Sequence, residues 1–309
     1  MRFLIVAALL GGAHASAPPP LLREQVWTAP GPALAHDLTH APRECVGALS
    51  REAEIGRSLF RAPGLLGGPA ARVGLSCNAC HSNGRVNARF LLPELTDRAG
   101  AADVTSEWAS KARGDGAMNP RDIPDLAGVG ERQTHGQHRD PSLEHFVHAV
   151  VEEEFQGQPP APEAFAGLIA YLRSLDAHAC APGEVAIALG DATGDVDRAV
   201  RAAQGAAQGA GRSADGATAR ALLLAAQDAM GRIVERLPQS RFAHERGELE
   251  RLSRELGSMR EARDIGAALE AAGAGWNARF DAVAARLATR ERSTYFNEAT
   301  LRSALSQRS

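Results

Sequence analysis

Apolar residues recur at helical spacing in two long stretches of the chain, separated and preceded by segments rich in glycine and proline. In the first stretch, Ile55, Leu59 and Phe60 fall between charged residues and predict a helix over Ala48 to Phe60, ended by Pro63 and Gly64. A second helix is expected from Ser142, a natural N-cap after Pro141, to about Glu153. A third begins with Pro162 at its first position and runs through Phe165, Leu168, Ile169 and Leu172 to about Leu175. The second stretch, residues 183–309, carries three apolar stripes. Leu223, Met230, Ile233, Val234 and Leu237 make one, with Pro238 as its breaker; Phe242, Leu249, Leu252 and Leu256 make the next; Trp276, Phe280, Val283 and Leu287 make the third. Alanine-rich runs at 200–210 and 217–226 favour helix intrinsically. This pattern predicts three or four antiparallel helices in a small bundle whose Met and aromatic residues are core, with His244 exposed on a polar face.

The fold class expected is therefore all-α: a helical domain over 43–182 followed by a C-terminal helical domain over 183–309. Pro18, Pro19, Pro20, Pro30 and Pro32 make 16–42 read as an extended leader with little packing of its own. Residues 1–15 carry the pattern of an export signal: Arg2, an apolar core from Phe3 to Leu10, and Ala13-His14-Ala15 as the cleavage site. That core is shorter than the ~20 residues a bilayer span takes, so no transmembrane span is expected and the mature chain is read as periplasmic or otherwise exported. The 309 residues carry a formal net charge of −3, which gives no reason to expect a nucleic-acid partner. Lys111 is the sole lysine, so electrostatic docking to another protein would use arginine or carboxylates.

Chemistry concentrates at Cys77-Asn78-Ala79-Cys80-His81. Two thiols three positions apart, followed at once by a histidine, fit covalent attachment of one c-type haem. On a single helical turn both sulfurs reach neighbouring edges of the porphyrin, and the imidazole of His81 sits under the iron as its axial ligand. A structural zinc site would need a further pair at ligand spacing, and a thioredoxin-like pair would sit in a strand-helix-strand pattern; neither is found. Cys45 and Cys180 flank the segment and, in an oxidising compartment, either close it as a disulfide or remain free thiols. Between Cys77 and residue 153 the chain has Gly84, Pro93, Gly100, Gly114, Gly116, Pro120, Pro124 and Gly136, an irregular length suited to wrapping a haem.

These residues resemble the bacterial di-haem cytochrome c peroxidase family, which includes the related methylamine-utilisation di-haem enzymes. Ile55-Gly56-Arg57-Ser58-Leu59-Phe60-Arg61-Ala62-Pro63-Gly64-Leu65 resembles that family's helix and turn before its first haem motif, and Ser76 to Ser82 continue the match. Ile123-Pro124-Asp125-Leu126 is similar to its "TPSLRN" turn, Thr134-His135-Gly136 to its "HDG" element, and Ser142-Leu143-Glu144 to the helix start that follows. Tyr171-Leu172-Arg173-Ser174-Leu175 is similar to the closing helix of many small cytochrome c domains. The resemblance implies a cytochrome c-like haem domain with attachment at Cys77 and Cys80 and ligation by His81. The family carries two haem motifs and this chain has one, so the two-haem peroxidase mechanism does not transfer.

An iron held by His81 carries electrons if its other face is filled and is open to catalysis if it is not. Met118, His135, His138, His145 and His148 compete for that position, with Val150 or Val151 standing where the family's electron-transfer haem takes a methionine. Glu152, Glu153 and Glu154 read as a solvated helix end. The expectation is one-electron transfer with a redox partner protein, His81 and Met118 being the metal ligands; the alternative is a peroxidase-like enzyme with an open or weakly ligated sixth position.

Overall fold

The computed structural model describes residues 21–179, 183–208 and 216–308, so the expected export signal and Cys180 lie outside the described residues. The segment expected as an unpacked leader is packed from residue 21 onward. A 3-10 turn at Arg23–Trp27 leads to helix α1 (Leu34–Asp37) and strand β1 (His40–Pro42). Prolines redirect the chain there, but Leu22, Trp27 and Leu38 between them are apolar and buried, and burial decides the outcome. Leu22, Ala35 and Leu38 join Leu301, near the far end of the chain, in a small apolar cluster.

Helix α2 (Arg51–Phe60) starts later than its apolar spacing suggests because the Ser50 hydroxyl accepts from the Ala53 N–H at 3.1 Å and so caps it. Two short helices follow, α3 (Gly68–Arg72) and α4 (Cys77–Cys80), the latter a single turn. The irregular stretch is pinned by one small ladder, β2 (Ala101–Ala102) against β3 (Arg121–Asp122). Helix α5 (Leu143–Ala149) is capped by Ser142, as expected, but passes into a π turn over Val150–Glu154. Helix α6 (Pro162–Ser174) opens with Pro162, whose missing N–H is unneeded at that position. Strand β4 (Glu184–Ala186) then pairs antiparallel with β1, His40 opposite Ala186.

The second stretch forms α7 (Leu189–Gln208), α8 (Ala217–Glu235), α9 (Gln239–Glu261) and α10 (Ile265–Ala288), followed by α11 (Glu298–Ser306). Each of the four long helices packs on the next, and α10 returns to α7, closing a four-helix arrangement. The three stripes supply its core; Trp276 stacks on Phe280 with ring centroids 5.2 Å apart and donates its indole N–H to the Leu252 carbonyl at 2.9 Å. Pro238 ends one helix and caps the next, and the His244 side chain is exposed beside Glu248. The chain is predominantly helical, and no helix among the described residues is long and apolar enough to cross a membrane.

The core of the bundle does not stop at residue 183. Ile55 and Leu59 of α2 and Ala164 of α6 belong to the same buried cluster as Leu222, Leu223 and Met230 of α8. Another face of α2 crosses α6 at two glycines: a Cβ added at Gly56 would lie 1.9 Å from the Gly167 carbonyl oxygen. Only hydrogen at that position allows so close a crossing. Gly56→Ala forces the two backbones apart and should destabilise the protein by ~1–3 kcal/mol in chemical denaturation; an unchanged midpoint would show that the crossing is not under this constraint.

Candidate functional site

The turn α4 places its two thiols on one side. Both Cys77 and Cys80 are free, and both pack against an apolar cluster that includes Trp27, Leu75, Phe90, Leu95, Ile123 and Phe155. Cys77 also touches a second cluster, built on Phe60, Leu143, Leu168 and Leu172, so it sits where the two meet. Some thiol surface remains accessible, but so much protein surrounds it that desolvation pushes the Cys77 thiol up to about 12 and Cys80 higher still, the neighbouring Cys77 adding to the shift. Both sulfurs are neutral thiols at ordinary pH.

His81 ends the turn, with φ −111° and ψ 68°. Its Nδ1 lies 3.0 Å from the Pro124 carbonyl oxygen. Desolvation pulls the imidazole down to about 4, outweighing the opposite pulls of the Pro124 carbonyl and Asp125. The ring is therefore neutral, its Nδ1–H donates to Pro124, and its lone pair stands on Nε2, the tautomer a metal ligand needs. The Pro124 carbonyl is itself held in place. Ile123 N–H donates to the Gly100 carbonyl at 3.0 Å, Leu126 N–H to the Gly84 carbonyl at 2.9 Å, and Arg85 Nε pairs with Asp125 at 2.5 Å.

On the other side of α4, polar groups fix the turn. Asn83 has φ 53°, a conformation that few residues other than glycine adopt. Its N–H donates to Asn78 Oδ1 at 2.9 Å and its side-chain amide to the Pro42 carbonyl at 2.8 Å, while its own Oδ1 accepts from Arg61 Nη2 at 2.8 Å. Arg61 is buried and pairs with Glu44 at 3.0 Å; Arg57 joins Glu44 at 2.9 Å to Asp195 of α7 at 2.6 Å; Tyr171 of α6 donates its hydroxyl to Glu44 at 2.6 Å. Burial works against charge on both carboxyls, but Arg61 and Arg57 hold Glu44 down at about 2, and with Arg198 they hold Asp195 lower still. A cavity of about 430 Å³ lies on this side, its lining including Ser76, Asn78 and Asn83 together with Arg57 and Arg61.

The remaining candidates are dispersed. Met118 is 51% exposed on the loop between β2 and β3, next to Asn119, whose N–H donates to Asp103 at 3.0 Å. His135 is buried in a two-way backbone pairing with Asp140 and stacks on Phe146 at 6.1 Å. His138 is exposed, His145 holds Asp140, and His148 holds Glu152 at 2.9 Å while lying edge-on to Phe165. Val151 is core. Glu153 and Glu154, read as a solvated end, instead grip Arg113 at 2.8 and 3.1 Å and tie the π turn to the loop that bears Met118. Cys45 is disulfide-bonded, and Arg85 Nη1 approaches its sulfur at 3.2 Å.

No family model, curated protein or solved structure matches the chain. The donor set stands on its own chemistry: two free thiols on one turn could take thioether bonds to a haem, and a neutral imidazole with its lone pair on Nε2 could ligate the iron. Sequence reasoning missed Glu44, Asn83 and Asp195, whose role is visible only once distant segments meet.

Because the Glu44 carboxyl drops from 4.5 in the open chain to about 2 when folded, its contribution is complete above pH ~4.5 and is lost as pH falls toward 2. The gap corresponds to about 3 kcal/mol. Glu44→Gln should therefore lower stability at pH 7 and flatten its decline between pH 4.5 and 2; a parallel decline in both proteins, followed by urea unfolding across pH, would remove Glu44 from the network.

Proposed function

We propose that this chain is an exported monohaem c-type cytochrome that transfers single electrons, with haem joined through Cys77 and Cys80 and ligated by His81. The observation that carries the reading is the His81 Nδ1–Pro124 carbonyl contact at 3.0 Å, made by the residue that directly follows two free thiols on one turn. A carbonyl there fixes both the tautomer and the orientation of the ring and raises its basicity toward iron. A bound haem supplies reversible one-electron chemistry at its iron. The chain's part is to hold the ring and to exclude water from it. Apolar clusters on either side of Cys77 provide the low-dielectric wall, and the Glu44–Arg61–Asn83 chain keeps the turn from shifting as charge changes nearby.

The resemblance to one half of the di-haem peroxidases agrees with this reading, as does the apolar stretch from Phe3 to Leu10, since thioether attachment is made after export. The redox partner is a protein met through arginine and carboxylate groups. A peroxidase-like reading has one observation in its favour: Met118 is half exposed, and His145 and His148 already hold carboxylates, so the sixth position would be open or weakly filled.

The purified, exported protein should carry the mass of one haem beyond its processed polypeptide, retained under denaturing conditions. Its low-spin ferric spectrum should show the weak near-infrared band of methionine ligation, absent from Met118→Ala. His81→Ala should keep the covalent mass but change spin state. A colourless protein overturns the cytochrome reading altogether, whereas a high-spin ferric spectrum with peroxide-dependent oxidation of a donor selects the peroxidase-like one.

A further inference from the structure

The N-terminal segment and the last helix meet at a cluster remote in sequence from the thiol turn. His36 lies in α1, His40 begins β1, and Glu298 begins α11. The two imidazoles stack with centroids 4.0 Å apart and planes 19° from parallel. Glu298 Oε2 lies 3.3 Å from His36 Nδ1 and 4.0 Å from His40 Nδ1, while His40 Nδ1 also lies 3.2 Å from the His36 carbonyl oxygen and from the Thr39 hydroxyl. One donor atom from each of the three residues lies within 4.8 Å of the other two, and all three side chains are half-buried. The His36 Nε2 faces a second carboxylate, Glu184 Oε2, at 3.2 Å.

We propose that His36, His40 and Glu298 form a site for a divalent transition-metal ion of the zinc class, with water completing its coordination and Glu184 holding the opposite nitrogen of His36. Two imidazole nitrogens and one carboxylate oxygen are a common protein set for such an ion, and they select against calcium and magnesium, which prefer oxygen alone. With one donor atom from each of the three residues within 4.8 Å of the other two, small side-chain rotations bring all three onto a single cation. The ligands come from three segments joined below by the Leu22–Ala35–Leu38–Leu301 cluster. The ion therefore clamps the start of the described chain to its last helix, a structural role independent of the haem reading.

The test uses the untagged, full-length protein with its native cofactor, freed of loosely held metal by chelator and then titrated with zinc chloride at fixed pH. One zinc per chain should remain after gel filtration by elemental analysis, and the thermal midpoint should rise with added zinc. His40→Ala and Glu298→Gln should each weaken zinc binding by at least ~10-fold and abolish the thermal shift, with far-ultraviolet dichroism and visible absorption unchanged. If His40→Ala does not fold, Glu298→Gln alone decides. Zinc that is lost on gel filtration, or that binds both variants as tightly as the parent, overturns the proposal.

Discussion

A buried arginine, Arg61, is the group on which the arrangement turns. It reaches Glu44 ahead of α2, Asn83 beyond the thiol turn and the ring of Tyr171 in α6, while Arg57, one turn earlier on α2, carries the same network to Asp195 in the bundle. Four segments far apart in sequence are thus held by one connected set of charges. Such a network is weak evidence for net stability, because removing ions from water costs several kcal/mol each. Its consequence is specificity. An incomplete set leaves a largely buried charge without its partner, which disfavours arrangements that bring only some of these segments together.

The apolar side of the fold follows from the same geometry. Gly56 and Gly167 let α2 and α6 cross closely, and that brings Tyr171 within reach of Glu44. With the crossing fixed, one face of α2 is left for α7 and α8, and Ile55 and Leu59 continue the bundle core. The C-terminal helices are therefore not an appendage to the part that bears the thiols. Their packing supports the helix that orients Arg61, and through Asn83 the position of Cys77 to His81.

What the sequence made legible was local. The spacing of Phe165, Leu168, Ile169 and Leu172 sufficed for α6, and the stripes of the bundle read directly as core. Cys77, Cys80 and His81 lie in one pentapeptide, so their closeness on a single turn follows from sequence spacing alone. The packed N-terminal segment was not legible, because prolines mask three buried apolar residues whose partner, Leu301, lies near the other end of the chain. Glu154 misled for the opposite reason: it looks solvated in sequence until Arg113 arrives from a loop some forty positions away, whereas its neighbour Glu153 remains half exposed. Pro124 was visible only as part of a turn, and nothing in its identity shows that its carbonyl will meet an imidazole.

The two ends of β3 now separate two roles. On its C-terminal side the chain is fixed at once: Ile123, Asp125 and Leu126 each have a partner, and the Pro124 carbonyl faces His81 with little freedom. On its N-terminal side Asn119 is anchored to Asp103, yet the Met118 side chain remains half exposed. Along the chain, the ladder of β2 with β3 stands between Met118 and Pro124. Under the proposed reading, Pro124 would hold the His81 imidazole in one orientation toward a bound haem, and the loop that bears Met118 is tethered separately, through Asn119 and Asp103.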